Sequence, residues 1–518
     1  MSEERVKREK EERMGPADPP RIDLSMILES SEPSNPNRRI YTNRDLQMEE
    51  IEVIGFDMDY TLAQYHQRAL DELSVALTLE KLLARGYPEH FRSIQIDHDF
   101  IIRGLIVDKE TGHIFKLDDH RVVGRCYHGY QQISDEERVA LYGSRPISLS
   151  GSRFARVDTL FSLPETTLLA GIIEDYVQRG ETLPCSHRVL FDDIRASIDE
   201  AHRDGSLKAA ILSDISKYII LDKDLGPTLH KLRSAGKKLF LLTNSECYYT
   251  EAVMSYLLNN SLAFFDSWRD YFDIILVDGA KPAFFNEEKK FIRLDEEGAP
   301  SGEETHRLAP RRVYSGGCLT EFERLLGLNG DAILYVGDHV YSDIVRSKRS
   351  AWWRTALVIQ EMQHLDNERR EHGQKLERIQ QLDEIARQLD DEINHYQTLS
   401  QSLGRVQELI LALTTPETQV IDSTREQAAR QIAEKRSLLE KTISEIRSLE
   451  EEIDRQQNPY WGRVFREGHE LSLFGDQVRL YADIYTSQVS NLLYYSPNQH
   501  FRGPRRLLPH EADHISST

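Results

Sequence analysis

Residues 51–61 have the sequence IEVIGFDMDYT, and the prediction of the fold begins from them. This stretch begins with a mainly apolar, β-branched run and continues directly into Asp57, Asp59 and Thr61. An apolar run of this length that is closed by polar residues is typical of a buried strand ending in a loop. We therefore predict a strand whose carboxyl end presents two aspartates.

Three later stretches repeat this form, with helical sequence between them. They are KKLFLLTNS (237–245), FDIILVDGAK (272–281) and DAILYVGDH (331–339). Strands that alternate with helices are typical of an α/β protein with a doubly wound parallel sheet, in which ligands bind beyond the carboxyl ends of the strands. We expect one crevice there to gather the polar residues that follow these strands, namely Asp57, Asp59, Thr243, Lys281, Asp338 and Asp343.

The chain between the first and second of these strands is too long for a simple crossover. The segment between them includes about 150 residues, 71–219, beyond the ends of the core, and this segment mixes strand-like runs with helical ones. We therefore predict a core formed by residues 41–70 and 220–360, with residues 71–219 inserted as an α+β cap over the crevice. Substrate choice is expected to lie in the cap.

From 361 to 456 the composition shifts to Glu, Gln, Arg, Leu and Ile with heptad spacing. The expected seam residues are Ile379, Leu382, Ala386, Leu389, Ile393 and Tyr396, followed by Leu439, Ile443, Ile446, Leu449 and Ile453. Because TTPETQ (414–419) interrupts the pattern, we predict an antiparallel coiled-coil hairpin with a structural or oligomeric role, and expect a homo-oligomer. A further amphipathic helix is predicted at 471–495, within a C-terminal helical segment (457–500) that docks on the core.

The overall charge limits the partners. Lys and Arg total 65 against 86 Asp and Glu, so the formal net charge is −21, which repels nucleic acid and anionic lipid. The sequence has no apolar run long enough to cross a membrane, no apolar signal segment at the N-terminus and no paired cysteine spacing. We expect a cytoplasmic protein without nucleic-acid or membrane partners, with disordered tails at 1–40 and 501–518.

The order of DxDxT, a strand-end Thr, a Lys and GDxxxxD resembles the haloacid-dehalogenase superfamily of aspartate-dependent phosphohydrolases. FDMDYTLA, LLTNS, ILVDGAKPAFF, YSGG, VGDHVYSDI and QVRLYADIY resemble the cytosolic purine 5′-nucleotidase family within it, over residues 40 to 510 and only loosely through the coiled coil. The resemblance implies a Mg²⁺-dependent 5′-nucleotidase that prefers IMP and GMP.

The chemistry of the residues agrees with this resemblance. A carboxylate with a pKa of about 3.9 is ionised at neutral pH, so Asp57 needs no base to attack phosphorus. Mg²⁺ would be held by the Asp57 and Asp338 carboxylates and the Asp59 carbonyl, with Asp343 behind them or bound through water. Lys281 and Thr243 would stabilise the phosphoryl oxygens, and Asp59 would act as general acid and then general base.

The family resemblance implies that the substrate is recognised by residues of the cap and by residues at the end of one strand. On their own, Arg195, Asp199 and His202 indicate only one face of a helix, which is most often a solvated salt-bridge face. The family pattern implies that Arg195 donates to O6 of a 6-oxopurine and Asp199 accepts from N1–H. It further places the base between His202 and Phe161, the phosphate at Lys208, and Asn244 and Ser245 at the entrance of the phosphate site.

Several positions depart from the family pattern. Arg203 replaces an aromatic residue, while Ser148 and Leu480 replace arginines and Asp158 an asparagine at the family's allosteric nucleotide site, so we expect no ATP activation of the family's kind. Phosphoryl transfer to a nucleoside is left open. Two other functions also stay open: a phosphatase for another small phosphomonoester, and a non-catalytic nucleotide-binding or coiled-coil interaction protein.

Overall fold

The computed structural model describes residues 38–295, 297–304, 307–345, 351–410 and 416–505. The two predicted tails therefore lie mostly outside the described residues. The boundary of the first tail is wrong, because Ile40 is buried and its N–H donates to the Tyr495 hydroxyl at 3.0 Å. The folded body thus includes the last residues that we assigned to that tail.

Strands and helices alternate along most of the described chain. The strands are β1 (Tyr41–Thr42), β2 (Leu46–Gln47), β3 (Val53–Phe56), β4 (Leu105–Asp108), β5 (His113–Leu117), β6 (Val123–His128), β7 (Gln131–Gln132), β8 (Phe154–Arg156), β9 (Lys238–Leu242), β10 (Ile274–Val277), β11 (Phe291–Leu294), β12 (Pro300–Glu304), β13 (Val313–Gly316), β14 (Ile333–Gly337), β15 (Arg354–Val358), β16 (Arg466–Glu467), β17 (Glu470–Leu471), β18 (Ile484–Thr486) and β19 (His500–Phe501). The helices are α1 (Gln67–Ala84), α2 (Asp135–Tyr142), α3 (Leu163–Arg179), α4 (His187–Arg203), α5 (Ser206–Ser213), α6 (Ile215–Tyr218), α7 (Leu225–Ser234), α8 (Cys247–Leu258), α9 (Leu319–Leu326), α10 (Met362–Ile410), α11 (Pro416–Gln457) and α12 (Leu473–Tyr481).

Ten strands form the central sheet, in the order β1-β18-β15-β14-β3-β9-β10-β13-β11-β12. The strands from β18 to β13 are parallel, and antiparallel strands complete both edges. Phe56 of β3 lies opposite Val336 of β14 and Leu241 of β9. All four residues of β3 are buried, as is typical of a parallel strand covered on both faces. The predicted α/β fold with a doubly wound parallel sheet is confirmed.

The cap leaves and re-enters the core through two adjacent segments. Tyr65 and Ile219 form an isolated antiparallel bridge, and the Ile220 N–H donates to the Gln64 carbonyl at 2.9 Å. Between these segments the cap contains an antiparallel sheet, in the order β7-β6-β5-β4-β8, and the mutually packed helices α1, α3 and α4. The paired segments make a narrow connection between the cap and the core.

Helix α4 follows directly from its sequence. Ser186 caps its first turn by accepting a hydrogen bond from the Val189 N–H. Its apolar residues Leu190, Ile194 and Ile198 recur every four residues and are buried. The intervening polar residues therefore lie on the remaining faces of the helix.

The hairpin of α10 and α11 is present and antiparallel. Lys375 pairs with Glu452 at 2.6 Å, and Gln407 donates to Asp422 at 2.6 Å, so residues far apart in sequence face each other along its length. The predicted interruption at 414–419 lies partly outside the described residues. On α10 the buried seam residues include Ile379, Leu382, Leu389 and Ile393, as expected.

One predicted seam position is wrong. Ile443 is 38% exposed, whereas Thr442 is only 5% exposed. The reason is the heptad itself, because Leu439, Thr442 and Ile446 alternate three and four residues apart, as a continuous seam requires. Ile443 was predicted in the seam because its side chain is apolar.

The prediction of a single helix over residues 471–495 is also wrong. Helix α12 ends at Tyr481, and the chain then forms β18, which lies between β15 and β1. Asp483 stabilises this join, since its carboxylate accepts from the Thr355 N–H at 2.9 Å. No helix in the described ranges carries an apolar stretch long enough to cross a bilayer.

Candidate functional site

Three carboxylates meet at the carboxyl edge of the sheet. Asp57 follows β3 and Asp338 follows the adjacent strand β14, while Asp343 lies in the helical turn Val340–Val345 that comes next. One oxygen of each carboxylate lies within 4.8 Å of the other two, and all three residues are buried. The structure thus brings together three of the four residues expected to surround a metal ion.

Lys281 places its ammonium group among these carboxylates. Its Nζ lies 2.8 Å from Asp57 and 2.9 Å from Asp343, and it donates to the Tyr335 hydroxyl at 3.0 Å. Burial opposes the charge of Lys281, but Asp343 and Asp57 outweigh this effect and hold its pKa well above the ordinary value. Lys281 is therefore a fixed cation next to the expected nucleophile.

The backbone of Lys281 is held by the loop that follows β9. Asn244 donates its amide N–H to the Lys281 carbonyl at 3.0 Å and accepts from the Lys281 N–H at 2.6 Å. Asn244 is thus a residue that positions Lys281, in addition to lying near the expected phosphate site. Thr243, directly before it, is fully buried and its Oγ1 accepts from the Ser245 N–H at 3.1 Å.

The charges of this cluster fit a divalent cation. Burial raises the pKa of Asp57 to about 7, against the lowering effect of Lys281. The pKa of Asp338 lies well above its usual value through burial and through the nearby Asp343 and Asp57. One ammonium group does not neutralise three buried carboxylates, and oxygen ligands of this type suit a hard cation such as Mg²⁺.

Asp59 is held by two hydroxyl groups. Tyr65 donates to one of its carboxylate oxygens at 2.6 Å, and Ser245 donates to the other at 2.7 Å. The Tyr65 hydroxyl is also 2.9 Å from that of Tyr249. We did not predict a role for Tyr65 or Tyr249. No local pattern marks them, because Tyr249 belongs to α8 and reaches Asp59 only through the tertiary fold.

In the cap, Arg195 is paired with a residue that we did not predict. Its guanidinium donates to Glu165 at 2.8 Å, and Glu165 is buried in α3. Burial opposes the charge of Arg195, but Glu165 and then Asp199 raise its pKa above the ordinary value. Arg195 and Asp199 therefore act on each other, as their spacing on α4 indicates.

The aromatic residues of the expected base site touch each other. The rings of Phe161 and His202 are 5.8 Å apart at 82°, an edge-to-face contact. Phe161 also packs edge-to-face against Tyr60 at 4.7 Å. In this arrangement the two rings do not stand parallel on either side of a base, so a sandwiched base requires one of them to move.

Lys208 points to a carboxylate rather than to open space. Its ammonium group forms an ion pair with Glu246, which precedes α8 in the core, and lies 5.4 Å from the Tyr249 ring. The pair crosses the boundary between cap and core. Contact of Lys208 with a phosphate group would require this pair to open. Arg203, at the end of α4, is exposed.

Comparison with known proteins agrees with this geometry. Residues 40–513 match the sequence model of the 5′ nucleotidase family. A 5′-nucleotidase domain-containing protein of Dictyostelium discoideum is 31% identical over 500 residues, which cover 95% of this chain and 77% of that protein.

Two solved structures are also similar over part of the chain. One is described as a predicted phosphoglycolate phosphatase from Haemophilus somnus 129pt, with 14% identity and a TM-score of 0.25 over 60% of this chain and 85% of its own. The other is CbbY from Rhodobacter sphaeroides in complex with phosphate, with 16% identity and a TM-score of 0.23 over 60% and 86%. The family match, which spans nearly the whole chain, decides the assignment: the chain belongs to the 5′ nucleotidase family and is a phosphomonoesterase acting on nucleotides.

Proposed function

We propose that the protein is a Mg²⁺-dependent 5′-nucleotidase for purine nucleoside monophosphates, with IMP and GMP preferred, and that it acts through an aspartyl-phosphate on Asp57. One observation carries the proposal. The Asp57 carboxylate lies at the sheet edge beside Lys281 and two further buried carboxylates, Asp338 and Asp343. This arrangement combines a nucleophile, a fixed cation and the ligands for a hard metal ion.

In the first step, a carboxylate oxygen of Asp57 attacks phosphorus and the bond from phosphorus to the 5′ oxygen breaks. Asp59 gives its proton to the departing nucleoside oxygen. In the second step, water attacks the phosphorus of the aspartyl-phosphate while Asp59 takes a proton from the water. The bond from phosphorus to Asp57 breaks, which releases phosphate and restores both carboxyl groups.

The metal would be held by the carboxylates of Asp57 and Asp338 and the carbonyl of Asp59, with Asp343 adjacent. When bound, Mg²⁺ offsets the repulsion between the anionic phosphate and Asp57. Lys281 adds a positive charge that needs no reorganisation, because Asp57 and Asp343 already hold its ammonium group in place. Thr243 offers its hydroxyl group to the phosphoryl oxygens from the end of β9.

For the base, we propose that Arg195 donates to O6 and that Asp199 accepts from N1–H of hypoxanthine or guanine. Glu165 supports this role, since it limits the orientations that the Arg195 guanidinium can adopt. Adenine has the opposite polarity at both atoms, so Arg195 would face a donor and Asp199 an acceptor and neither would be paired with the base. The site is therefore expected to discriminate against AMP.

The test is phosphate release from IMP, GMP, AMP, UMP and a sugar phosphate in the presence of Mg²⁺, with Asp57→Asn as the control. Faster turnover of IMP and GMP supports the proposal. With GMP labelled at phosphorus as donor and inosine as acceptor, the appearance of labelled IMP tests the accompanying proposal that a nucleoside can replace water. The mechanism would be contradicted if none of these substrates were turned over in a way that requires both Mg²⁺ and Asp57.

A second candidate is a phosphatase for a smaller phosphomonoester. Two observations favour it: Phe161 contacts His202 where the base is expected, and Lys208 is paired with Glu246. If these contacts persist with substrate bound, the space beside α4 does not accept a purine. Turnover of the sugar phosphate without turnover of any nucleotide would decide for this candidate.

A further inference from the structure

Arg103 connects three parts of the fold from inside the protein. It precedes β4 in the cap and is 1% exposed. Its Nη1 donates to the backbone carbonyl of Asp338 at 2.9 Å, while Nε and Nη2 donate to the two carboxylate oxygens of Glu361 at 2.9 and 2.6 Å. The guanidinium also lies 5.0 Å from the centre of the Phe474 ring. One side chain thus joins the cap, the Asp338 loop and the residue that precedes α10.

The peptide group between Asp338 and His339 is held by hydrogen bonds at both its carbonyl and its N–H. The carbonyl of Asp338 accepts from Arg103, and the N–H of His339 donates to the carboxylate of Asp343 at 3.2 Å. The plane of this peptide helps to set the direction in which the Asp338 side chain leaves the backbone. Rotation of the peptide would therefore disturb two of the three clustered carboxylates together.

Glu361 is what allows Arg103 to hold this position. A guanidinium buried without a partner is very unfavourable, whereas a bidentate carboxylate pair offsets much of the cost of desolvation. Lysine cannot replace Arg103, because a single ammonium group does not match the planar arrangement of the two Glu361 oxygens and the Asp338 carbonyl oxygen. The neighbouring Gln360 donates to the Tyr65 carbonyl at 2.8 Å and so anchors the same segment at the cap connection.

We propose that Arg103 is a positioning residue for the divalent cation: held by Glu361, it keeps the Asp338 peptide in the orientation in which Asp57, Asp338 and Asp343 converge. The inference rests on the proposed function, since it assumes that this cluster binds the metal. The start of the hairpin contacts no substrate group in the proposed mechanism. Under this proposal it nevertheless supports the catalytic centre.

The test measures Mg²⁺ binding to the full-length protein by titration calorimetry, together with the Mg²⁺ dependence of phosphate release. Glu361→Gln keeps the size of the side chain but breaks the charged bidentate pair. We expect its dissociation constant for Mg²⁺ to rise roughly ten-fold or more, as is usual when a group that orients a metal ligand is lost. At saturating Mg²⁺ the KM for nucleotide is expected to stay within about twofold.

Arg103→Lys is the second variant, and it decides the question if Glu361→Gln does not fold. Asp454→Asn is the matched control: Asp454 lies near the same end of the hairpin and is buried, but its carboxylate pairs with Arg125 and Arg463 rather than with Arg103. Its Mg²⁺ affinity is expected to equal that of the wild type even if its melting temperature falls.

Two results would overturn the inference. One is wild-type Mg²⁺ affinity in folded Glu361→Gln or Arg103→Lys, and the other is an equal loss of affinity in Asp454→Asn. Asp338→Asn separates this failure from a failure of the proposed metal site. If Asp338→Asn also binds Mg²⁺ as well as the wild type does, the metal site itself is wrongly assigned.

Discussion

The hydroxyl group of Tyr65 donates a 2.6 Å hydrogen bond to Asp59, and it does so from one of the two segments that connect the cap to the core. The proposed general acid is thus held by a residue of the connection rather than by the strand that carries it. Ser245 binds the other oxygen of the same carboxylate. The position of the cap and the orientation of Asp59 are therefore linked through one tyrosine.

Tyr65→Phe is expected to lower kcat about ten-fold or more while leaving KM nearly unchanged. A hydrogen bond to a charged group contributes about 1.5–3 kcal/mol, and in this site it orients a group that acts in the transition state. Steady-state kinetics with IMP provide the measurement. Tyr249→Phe, which removes only the contact to Tyr65, is the matched control and is expected to have a smaller effect. An unchanged kcat in Tyr65→Phe would show that Asp59 does not need this bond.

Asp57→Asn and Lys281→Met are expected to act in opposite directions on stability in the absence of metal. Lys281→Met leaves three buried carboxylates without their cation, and losing one partner of a buried ion pair costs about 3–5 kcal/mol. Asp57→Asn instead removes one of the clustered negative charges, so the denaturation midpoint is expected to stay the same or rise. Both variants are expected to lose at least about 10³-fold in phosphate release. Equal destabilisation in urea would contradict this account of the charges.

Asp199→Ala is expected to raise the KM for IMP about ten-fold or more and to reduce the preference for IMP over AMP. The reason is the loss of the proposed acceptor for N1–H, which leaves a donor on the base unpaired. Asp192→Ala provides the control, because Asp192 is exposed on the same helix, as Asp199 is, but pairs with Lys109. If the two variants have the same kinetics, the edge of the base is read elsewhere.

The cap is expected to lose stability in acid through His113. Its ring nitrogen Nδ1 is 2.9 Å from the Tyr142 hydroxyl, and its ring lies 5.3 Å from that of His128. Burial first, and then the neighbouring His128, lower the pKa of His113 to about 4, although Asp108 acts in the opposite direction. Below a pH of about 6.5 the unfolded chain binds a proton that the folded protein excludes. This contribution to stability is therefore complete above that pH and is lost towards pH 4.

Melting curves between pH 4.5 and 7.5 at constant ionic strength test this expectation. The wild type is expected to show a decrease in melting temperature of a few degrees towards acid from this group alone. His113→Gln removes the titrating ring, so its melting temperature is expected to depend less on pH. His120→Gln is the control, because His120 is exposed. Parallel curves for wild type and His113→Gln would show that His113 does not contribute.

The central strands and the convergence of their polar ends could be predicted because each is encoded locally. Every one of these strands is an apolar run closed by polar residues, and parallel strands end at a common edge. Ile443 shows the limit of this reasoning, since side-chain type favoured it and only the packing of α11 against α10 selects Thr442. The Arg103 and Glu361 pair lies beyond any local pattern, because 258 residues separate the two partners.

The late position of β18 in the chain has a consequence for synthesis. Until Ile484–Thr486 leave the ribosome, β15 has no partner on one side of the sheet, although four of its five residues are buried in the finished protein. Roughly 130 residues separate the two strands, so translation at about 5–20 residues per second leaves this edge open for about 6–25 s. An open apolar edge is a site for wrong pairing with another chain. The nascent protein is therefore expected to depend on chaperones during that interval.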